Sequence, residues 1–319
     1  MKKNHVILIV FFALAAIISC QKELSKESSG TTVILPPPPL SILDSNYIDT
    51  VYEFETRNGV TDTTAYNSYK YDAQKRVVSI NWEFGDFQFP YQDSGKAVYF
   101  YNGTDTLPYQ SVTIADYNGM LVFDTTITFY FYDNAARLIK DSVVDAERDI
   151  SYPYYRLRHY VELYSYASGK VFRQSSDLPI IEPSPAAYPP TFTLDTVIVN
   201  AALNPVSAVS YVSLNNNSSF SKYYETANSY DNNPNPYYKL NISKSFSPIP
   251  VADGPSYFTD FIGKNNCVIN YTNYPASGSN STTLFTNVYL PNTYIKKTSL
   301  PANFNPAFTD GYLYTYKAL

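Results

Sequence analysis

A short motif that recurs along the chain constrains the fold more than any other feature of the sequence. It consists of an aromatic residue, any residue and a tyrosine, followed by four turn residues, a cation and two apolar residues. Two good copies occupy residues 69–78 and 130–139, a looser copy occupies 89–98, and a copy with a shorter turn occupies 164–172. Side chains alternate across a strand, so the two aromatic residues of each copy share one face. The motif therefore predicts a series of β-hairpins in an antiparallel sheet.

The turn residues of the motif have their own chemistry. Asp72 and Asp133 begin the turns of the two good copies, where a short carboxylate accepts a hydrogen bond from the backbone two residues on. Gly95 stands in the looser copy at the turn position that suits a positive φ, and Lys75 and Ala136 replace it in the good copies. A non-glycine residue in a left-handed turn costs about 1 kcal/mol. We therefore expect these turns to differ in type.

Aromatic side chains supply most of the apolar bulk, because the chain has 33 Tyr and 19 Phe but 2 Met. Tyr69, Tyr71, Tyr130 and Tyr132 are interpreted as sheet-packing residues that fill the inside of the fold. The alternative is that these four rings, together with Trp82, form a surface on which a ligand stacks.

Strand patterns with the same alternation continue from Asn46 to the C-terminus. No sustained helical period interrupts them. We expect an all-β protein whose antiparallel meander rolls into a barrel-like or strongly curved sheet, because strands twist and a flat exposed edge invites aggregation. A short helical segment is predicted at residues 256–262, in the C-terminal half. The prolines at about 179–190 are interpreted as a crossing inside a single β domain, residues 46–319, with a domain linker as the alternative.

Residues 1–19 have the pattern of a lipoprotein signal peptide. Lys2 and Lys3 precede an apolar run at residues 6–18 that is too short for a stable spanning helix. The run leads directly to Cys20 through the sequence Ile-Ile-Ser-Cys, which resembles a bacterial lipobox. This pattern predicts cleavage before Cys20 and lipidation of its thiol, which would hold the protein on a membrane.

The residues after the predicted cleavage site agree with an anchored protein. Residues 20–45 contain four consecutive prolines, which favour an extended, semi-rigid tether. Gln21 follows the lipidated position in place of the Asp associated with inner-membrane retention, so the outer membrane is the expected location, with the leaflet left open. With Cys20 lipidated, Cys267 has no disulfide partner and is predicted to be a buried, inert thiol.

Two stretches of the C-terminal part resemble a known family. Residues 230–240 (YDNNPNPYYKL) and 261–266 (FIGKNN) are similar to the C-terminal signature of a family of Bacteroidota lipoproteins with Tyr-Asp β repeats and a domain of unknown function described as porin-like in shape. The resemblance extends through short motifs over residues 46–319. It implies a porin-like β domain and brings no catalytic residue.

Histidine content limits the chemistry that the chain can perform. His5 leaves with the signal peptide, so His159 is the single imidazole of the processed chain. A zinc site of histidine and cysteine lacks ligands. A Ser-His-Asp triad would depend on His159 and would lack the Gly-x-Ser-x-Gly elbow. We interpret His159 as a strand residue with a local partner, and we expect no cofactor.

Acidic and amide side chains give two weaker signals. Asp231, Asn233 and Asn235 have the spacing of half a calcium loop, but Pro236 stands where that loop needs glycine, so a turn is the preferred interpretation. A denser acidic group invites comparison with the paired carboxylates of glycoside hydrolases, although its cationic neighbours suggest a charge-balanced loop. The group comprises Asp141, Asp145, Glu147 and Asp149.

Taken together, these patterns predict a non-catalytic lipoprotein of the cell envelope that binds or scaffolds extracellular material. Its expected partners are the membrane, through Cys20, and a glycan or an envelope protein. The net charge of −5, without a basic cluster, argues against nucleic acid. One alternative is a carbohydrate-active enzyme that uses paired carboxylates. The other is a membrane-spanning β-barrel, which the alternation fits, although Lys, Asp and Asn recur on both faces.

Overall fold

A computed structural model of the chain describes residues 46–57, 60–86, 89–116, 123–148, 155–178, 191–214, 219–242, 263–301 and 308–319. The signal peptide, Cys20, the tether, the proline-rich crossing and the helix predicted at residues 256–262 lie outside the described residues. Within them, no helix is long and apolar enough to cross a membrane.

Seventeen strands form one antiparallel sheet, which confirms the predicted all-β class. In chain order the strands are β1 (Asn46–Arg57), β2 (Val60–Tyr71), β3 (Val77–Asp86), β4 (Phe89–Phe100), β5 (Gln110–Asp116), β6 (Phe123–Tyr132), β7 (Leu138–Arg148), β8 (Tyr155–Ala167), β9 (Lys170–Leu178), β10 (Thr191–Val199), β11 (Pro205–Leu214), β12 (Ser221–Pro234), β13 (Asn265–Tyr274), β14 (Ser279–Leu284), β15 (Thr286–Tyr289), β16 (Ile295–Pro301) and β17 (Phe308–Ala318). A short 3-10 helix, Pro236–Lys239, follows β12.

The pairing of first and last strands makes the sheet barrel-like. β1 pairs with β2 on one side and with β17 on the other. β14 pairs with β13 and β15 pairs with β16, and Phe285 alone separates β14 from β15. The two short strands therefore fill one position in the ring. β9 pairs directly with β10, so the strands on either side of the proline-rich segment belong to the same sheet.

Antiparallel order gives the barrel two distinct ends. β1 begins and β17 ends at the same end of the barrel, which we call the turn end. Because neighbouring strands are antiparallel, the ring therefore holds an even number of strand positions. The opposite end, where residues 275–278 connect β13 to β14, is called the far end. The described connections at the turn end are residues 72–76, 101–109, 133–137, 168–169, 200–204 and 290–294.

Four turns at the turn end share one geometry, so the expectation that the motif turns differ in type was wrong. In the first, the N–H of Asp72 donates to the carbonyl of Arg76, and the N–H of Lys75 donates back to the carbonyl of Asp72, each at 3.0 Å. Residues 133–137, 200–204 and 290–294 repeat both bonds. The left-handed position is held by non-glycine residues with φ between 57° and 69°: Lys75, Ala136, Leu203 and Thr293.

In three of the four turns, the side chain that begins the turn explains how a non-glycine residue is tolerated; the fourth begins with Leu290 and has no such side-chain bond among the described residues. One carboxylate oxygen of Asp133 accepts the N–H groups of Ala135 and Arg137, both at 2.9 Å, and the other accepts the Arg137 side chain. Asn200 uses its amide oxygen in the same way. These bonds hold the turn firmly enough to offset a strained φ of about 1 kcal/mol.

Gly95 was wrongly placed in a turn by its motif copy, because it lies inside β4. A Cβ atom there would lie 2.2 Å from the Trp82 ring and 2.7 Å from the carbonyl oxygen of Ile114. A side chain at position 95 would clash with the Trp82 ring, so the close approach of this ring to the backbone requires glycine.

We expect the Asp133 turn to lose stability in acid. Burial alone would raise the pKa of the Asp133 carboxyl, but the Arg137 side chain and the N–H groups of Arg137 and Ala135 outweigh it, so the pKa lies below 3.8. The stabilisation is complete at neutral pH and disappears as the pH falls through this lowered pKa. Asp133→Ala should lower the free energy of unfolding by about 1–2 kcal/mol at pH 7.

Asp133→Asn is the matched control, since Asn200 already holds an equivalent turn without a charge. It should cost less than Asp133→Ala at pH 7, and its deficit relative to the wild type should close in acid, at a pH below the lowered pKa of Asp133. Urea unfolding at both pH values measures this. A deficit of Asp133→Asn that does not change with pH would contradict the assignment.

Candidate functional site

The inner face of the barrel is polar and acidic. Residues directly opposite each other in neighbouring strands share a face, and the buried pair Tyr69 and Ile80 marks the inside. The same register places these polar side chains on the inner face: Glu53, Asn67, Asp93, Thr113, Asp124, Asp141, Asp145, Glu162, Arg173, Asp195, Ser210, Thr226 and Asn270.

The outer face carries exposed apolar side chains over most of the circumference. For example, Leu163, Leu194 and Tyr211 lie along one outward row that crosses β8 to β11. Eleven apolar outward residues are 37–53% exposed: Ile114, Phe131, Leu163, Phe172, Leu194, Ile198, Tyr211, Ile269, Leu284, Val288 and Leu313.

Two outward lysines lie close to the turn end. Lys140 is in the first turn-end residues of β7, and Lys297 has the same place in β16. Their ammonium groups lie 5.1 Å and 4.3 Å from the ring centres of Phe131 and Phe54. The charges separate only in part, because Lys96 faces outward inside β4, directly opposite Ile114.

Tyrosines near the turn end join neighbouring strands through their hydroxyl groups. Six of them lie at or near the end of a strand, and each donates a hydrogen bond of 2.5–3.0 Å to a carbonyl near the start of the neighbouring strand that precedes it in the chain. We call each such bond a tyrosine clamp. The donor and acceptor pairs are Tyr71 and Ile48, Tyr101 and Val77, Tyr132 and Pro108, Tyr166 and Leu138, Tyr230 and Pro205, and Tyr316 and Ile295.

The predicted tyrosine pairs lie on the inner face, as the packing interpretation requires. Tyr69 is 1% exposed, and Tyr130 bonds the Ser111 hydroxyl at 2.8 Å. Tyr71 and Tyr132 are clamp residues. The hypothesis that these rings and Trp82 stack on a ligand stays a prediction.

Arginines of the motif connect neighbouring hairpins. The guanidinium of Arg76 lies 4.4 Å from the ring centre of Tyr101, and that of Arg137 lies 4.6 Å from the ring centre of Tyr166. Each arginine is held in place by the aspartate of its own turn. The cation of the motif therefore packs on the clamp of the next hairpin, a contact that the sequence did not reveal.

The 3-10 helix fills part of the turn end from within. The Asn235 side chain accepts the N–H of Tyr237 at 3.0 Å and caps the helix. Asn235, one of the three residues with calcium-loop spacing, therefore has a structural role here. Tyr237, Leu240 and Ile242 are buried against Ile48 and other core residues of β1 to β4. Burial raises the pKa of the Tyr237 phenol well above its ordinary value, so the group stays neutral.

Two polar contacts fix this segment to opposite sides of the barrel. Asn241 accepts the N–H of Val77 at 2.9 Å and donates to the hydroxyl of Tyr101 at 2.8 Å. On the other side, Lys239 bonds the hydroxyl of Tyr294. The segment thus reaches from β3 to the turn before β16.

A cluster of charged side chains lies on the inner face of β7 to β10. Arg173 binds Asp195 at 2.8 Å and Glu162 at 3.1 Å, and the hydroxyl of Tyr164 donates to Asp141 at 3.0 Å. One oxygen each of Asp141 and Asp195 has no hydrogen-bond partner within the described part of the chain. Three carboxylates thus face one guanidinium.

The loop interpretation was wrong for Asp141, Asp145 and Glu147, which lie within β7, and Asp149 lies outside the described residues. Alternation turns Asp141 and Asp145 inward, and Asp145 accepts the hydroxyl of Thr126 at 2.8 Å. No group of three His, Cys, Asp or Glu in the described residues is arranged to hold a metal.

The remaining predicted residues have ordinary surroundings. His159 lies in β8, and its Nε2 is 3.0 Å from the Ser142 hydroxyl, a local partner of the kind expected. Cys267 is buried, as predicted, with 6% exposure, and its thiol donates to the Ile269 carbonyl at 3.3 Å.

Comparison with known proteins finds a likeness in fold. No model of a protein family matches the sequence, and no curated protein matches it. A porin-like protein from Bacteroides vulgatus ATCC 8482 has 12% identity and a TM-score of 0.51, over 86% of this chain and 100% of the other. A porin-like protein from Bacteroides uniformis ATCC 8492 has 10% identity and a TM-score of 0.43, over 85% and 98%. The first likeness shows a shared porin-like β fold, and the lipoprotein part of the predicted resemblance stays a prediction.

The clamps should contribute measurably to stability. Tyr71→Phe removes the hydroxyl that satisfies the Ile48 carbonyl, next to an irregularity in the β1 ladder. We expect it to lower the free energy of unfolding by about 1–2 kcal/mol. Tyr109→Phe is the control, because Tyr109 is 36% exposed and makes no clamp; it should change stability by less than about 0.5 kcal/mol. Equal effects in urea titrations would contradict the role of the clamp.

Proposed function

We propose that the protein is a β-barrel of the outer-membrane type, whose strands cross a lipid bilayer and whose interior is filled by polar and tyrosine side chains. The observation that carries this proposal is the difference between the two faces of the sheet. Inward positions hold most of the acids, and outward positions hold exposed leucine, isoleucine, valine and aromatic side chains. Membrane-spanning barrels alternate in this way, with lipid-facing and lumen-facing residues following each other along every strand.

The exposed apolar surface is hard to reconcile with a barrel surrounded by water. Water-soluble monomers rarely expose contiguous apolar patches larger than a few hundred Å². Here the apolar positions recur from β5 through β17, so they follow the sheet and do not form one local patch. A lipid environment removes the cost of this exposure.

The length of most strands and the closure of the ring also suit a bilayer. A tilted strand needs about 9–11 residues to cross the hydrocarbon core. β1, β2, β3 and β4 have 12, 12, 10 and 12 residues, whereas β5 and β16 have 7 each. The pairing of β1 with β17 leaves neither terminal strand as an open edge, which a bilayer would not tolerate. The outward lysines near the turn end can extend their ammonium groups toward the interface.

Orientation follows from the termini, because β1 begins and β17 ends at the turn end. In bacterial barrels an even strand number accompanies termini on the periplasmic side. We assign the turn end to that side, and we propose that the tether and a lipidated Cys20 join the barrel there. The solved structure that shares the fold comes from a protein described as porin-like, which supports the same proposal. Binding or turnover of a glycan stays a prediction without a specific observation in its favour.

Substitution of two adjacent residues, near the middle of the ring position that β14 and β15 share, tests whether the outer face contacts lipid. Leu284 points outward and is 53% exposed, whereas Thr283 points inward opposite Asn270. In a bilayer, Leu284→Arg should cost about 2–4 kcal/mol, and Thr283→Arg should cost clearly less. Refolding into lipid vesicles with urea titration measures both. In a water-soluble barrel, Leu284→Arg at so exposed a site would change stability by less than about 0.5 kcal/mol, which would contradict the proposal.

A second test separates the barrel from its anchor. A Cys20→Ala variant, secreted behind a cleavable signal peptide, should remain in the outer-membrane fraction after alkaline carbonate washing, because the strands hold it there. The unaltered protein is the control. Release of the variant as a folded, soluble protein would show that a lipid at Cys20 was the sole attachment, and the spanning barrel would be rejected.

A further inference from the structure

One hairpin at the turn end lacks a tyrosine that its counterparts have. Four described turns share the same two backbone hydrogen bonds, and the residues directly before them are Tyr71, Tyr132, Val199 and Tyr289. Tyr71 and Tyr132 form clamps, and the hydroxyl of Tyr289 bonds a carboxylate of β12. Val199 precedes the turn at residues 200–204, so this hairpin keeps the turn geometry without a tyrosine of its own.

A cavity of about 660 Å³ lies beside this hairpin. Val199 lines it, together with the turn residues Ala136 and Leu203 and two tyrosines, Tyr166 and Tyr238. The side chain at position 199 therefore borders the cavity. At the clamped hairpins, a tyrosine ring projects from the equivalent position.

The inner end of the cavity is closed. Val171 and Val199 line it and pack against Val197 and Ala208, which are 0% and 1% exposed. Leu203, which also lines it, is 51% exposed at the turn end. A ligand can therefore enter from the turn end and stop at this floor. The volume lies within the range of small-molecule sites, about 300–1,000 Å³.

The clamps indicate what the cavity can bind. Each of them places a phenol ring near a strand end and its hydroxyl on a carbonyl near the start of the preceding neighbouring strand. β10 ends at Val199, its preceding neighbour is β9, and the first two residues of β9, Lys170 and Val171, line the cavity. A phenol in the cavity can therefore repeat the clamp, with aromatic neighbours in Tyr166 and Tyr238.

The charged side chains at the cavity disfavour a cationic ligand. Of the described residues that line it, Arg137 and Lys170 carry charge, and none is acidic. Arg137 is paired with Asp133 and packs on the Tyr166 ring, whereas Lys170 is exposed. A neutral phenol, or one with an anionic substituent, therefore suits the cavity better than an amine does.

We infer that this cavity is a binding site for a small phenol, neutral or with an anionic substituent, whose ring takes the place of the clamp tyrosine that this hairpin lacks. Such binding does not require that the strands cross a bilayer, because the residues that form the cavity lie in or beside the turn-end connections and the 3-10 helix. Elsewhere in the barrel the phenol belongs to the chain, and here it comes from a separate molecule.

The role of the hydroxyl is tested on the unaltered protein. Isothermal titration calorimetry compares p-cresol, which is the tyrosine side chain as a free molecule, with toluene, which lacks the hydroxyl. p-Cresol should bind about three- to tenfold more tightly, because one hydrogen bond contributes that much. Among charged phenols, 4-hydroxyphenylacetate should bind more tightly than tyramine. Absence of p-cresol binding, equal binding of toluene, or a preference for tyramine would overturn the inference.

The position of the site is tested by filling it. Val199→Tyr supplies the ring from the chain itself and should weaken p-cresol binding at least about tenfold. Ile198→Tyr makes the same change one residue away, on the outer face, where Ile198 is 44% exposed, and should bind p-cresol like the wild type. All titrations use the same medium, so that partition of the probes into any detergent is equal. Equal p-cresol binding by Val199→Tyr and the wild type would reject this site.

Folding of each variant is measured by its urea unfolding midpoint, which Val199→Tyr should keep or raise because it completes a clamp. If Val199→Tyr does not fold, the comparison of p-cresol with toluene on the wild type still decides. Tighter binding of N-acetyltyrosinamide than of p-cresol would show that a tyrosine of a polypeptide occupies the cavity, and the assignment to a small molecule would be rejected.

Discussion

Pairing between β1 and β17 is the contact on which the rest of the structure depends. A strand at the edge of a sheet presents unpaired N–H and C=O groups, which water can satisfy but lipid cannot. By joining the two ends of the chain, this pair turns a meander into a ring with an inside and an outside. Alternation along each strand then has a consequence that it lacks in an open sheet, because each residue belongs either to the lumen or to the surroundings.

Closure creates a filling problem that tyrosine solves. A ring of this many strands encloses more space than aliphatic side chains fill, and its strand ends leave carbonyls that need donors. A tyrosine provides a large ring and a hydroxyl on one rigid side chain. Tyr101 is an example of one side chain with several roles. Its hydroxyl donates to the Val77 carbonyl and accepts from Asn241, and its ring packs against the Arg76 guanidinium. The abundance of tyrosine in this chain thus has a structural cause that requires no ligand.

The local sequence pattern predicted the hairpins well, and it failed for residues whose environment is determined by other strands. The hairpins at Asp72 and Asp133 followed from the motif, as did the shared face of each tyrosine pair. Gly95 was misplaced because its partner, Trp82, lies on another strand. Asp141 was misread as a loop residue because its charge suggested water, whereas its surroundings are the lumen side chains of β8 to β10. Alternation shows that two faces exist, but only closure of the ring determines which face is inside.

The same limit explains why composition did not distinguish a membrane barrel from a tethered soluble domain. Acids and apolar residues are interleaved at a spacing of two, so any average over a segment mixes lumen and lipid faces. Leu194 and Asp195 are neighbours in sequence, yet one is 37% exposed on the outer face and the other is 2% exposed inside. In the proposed barrel, the ion pair with Arg173 accounts for Asp195 inside, and a lipid-facing surface accounts for Leu194 outside. A water-soluble sheet would leave Leu194 exposed without a reason, and it is the repetition of this contrast from strand to strand that favours the membrane.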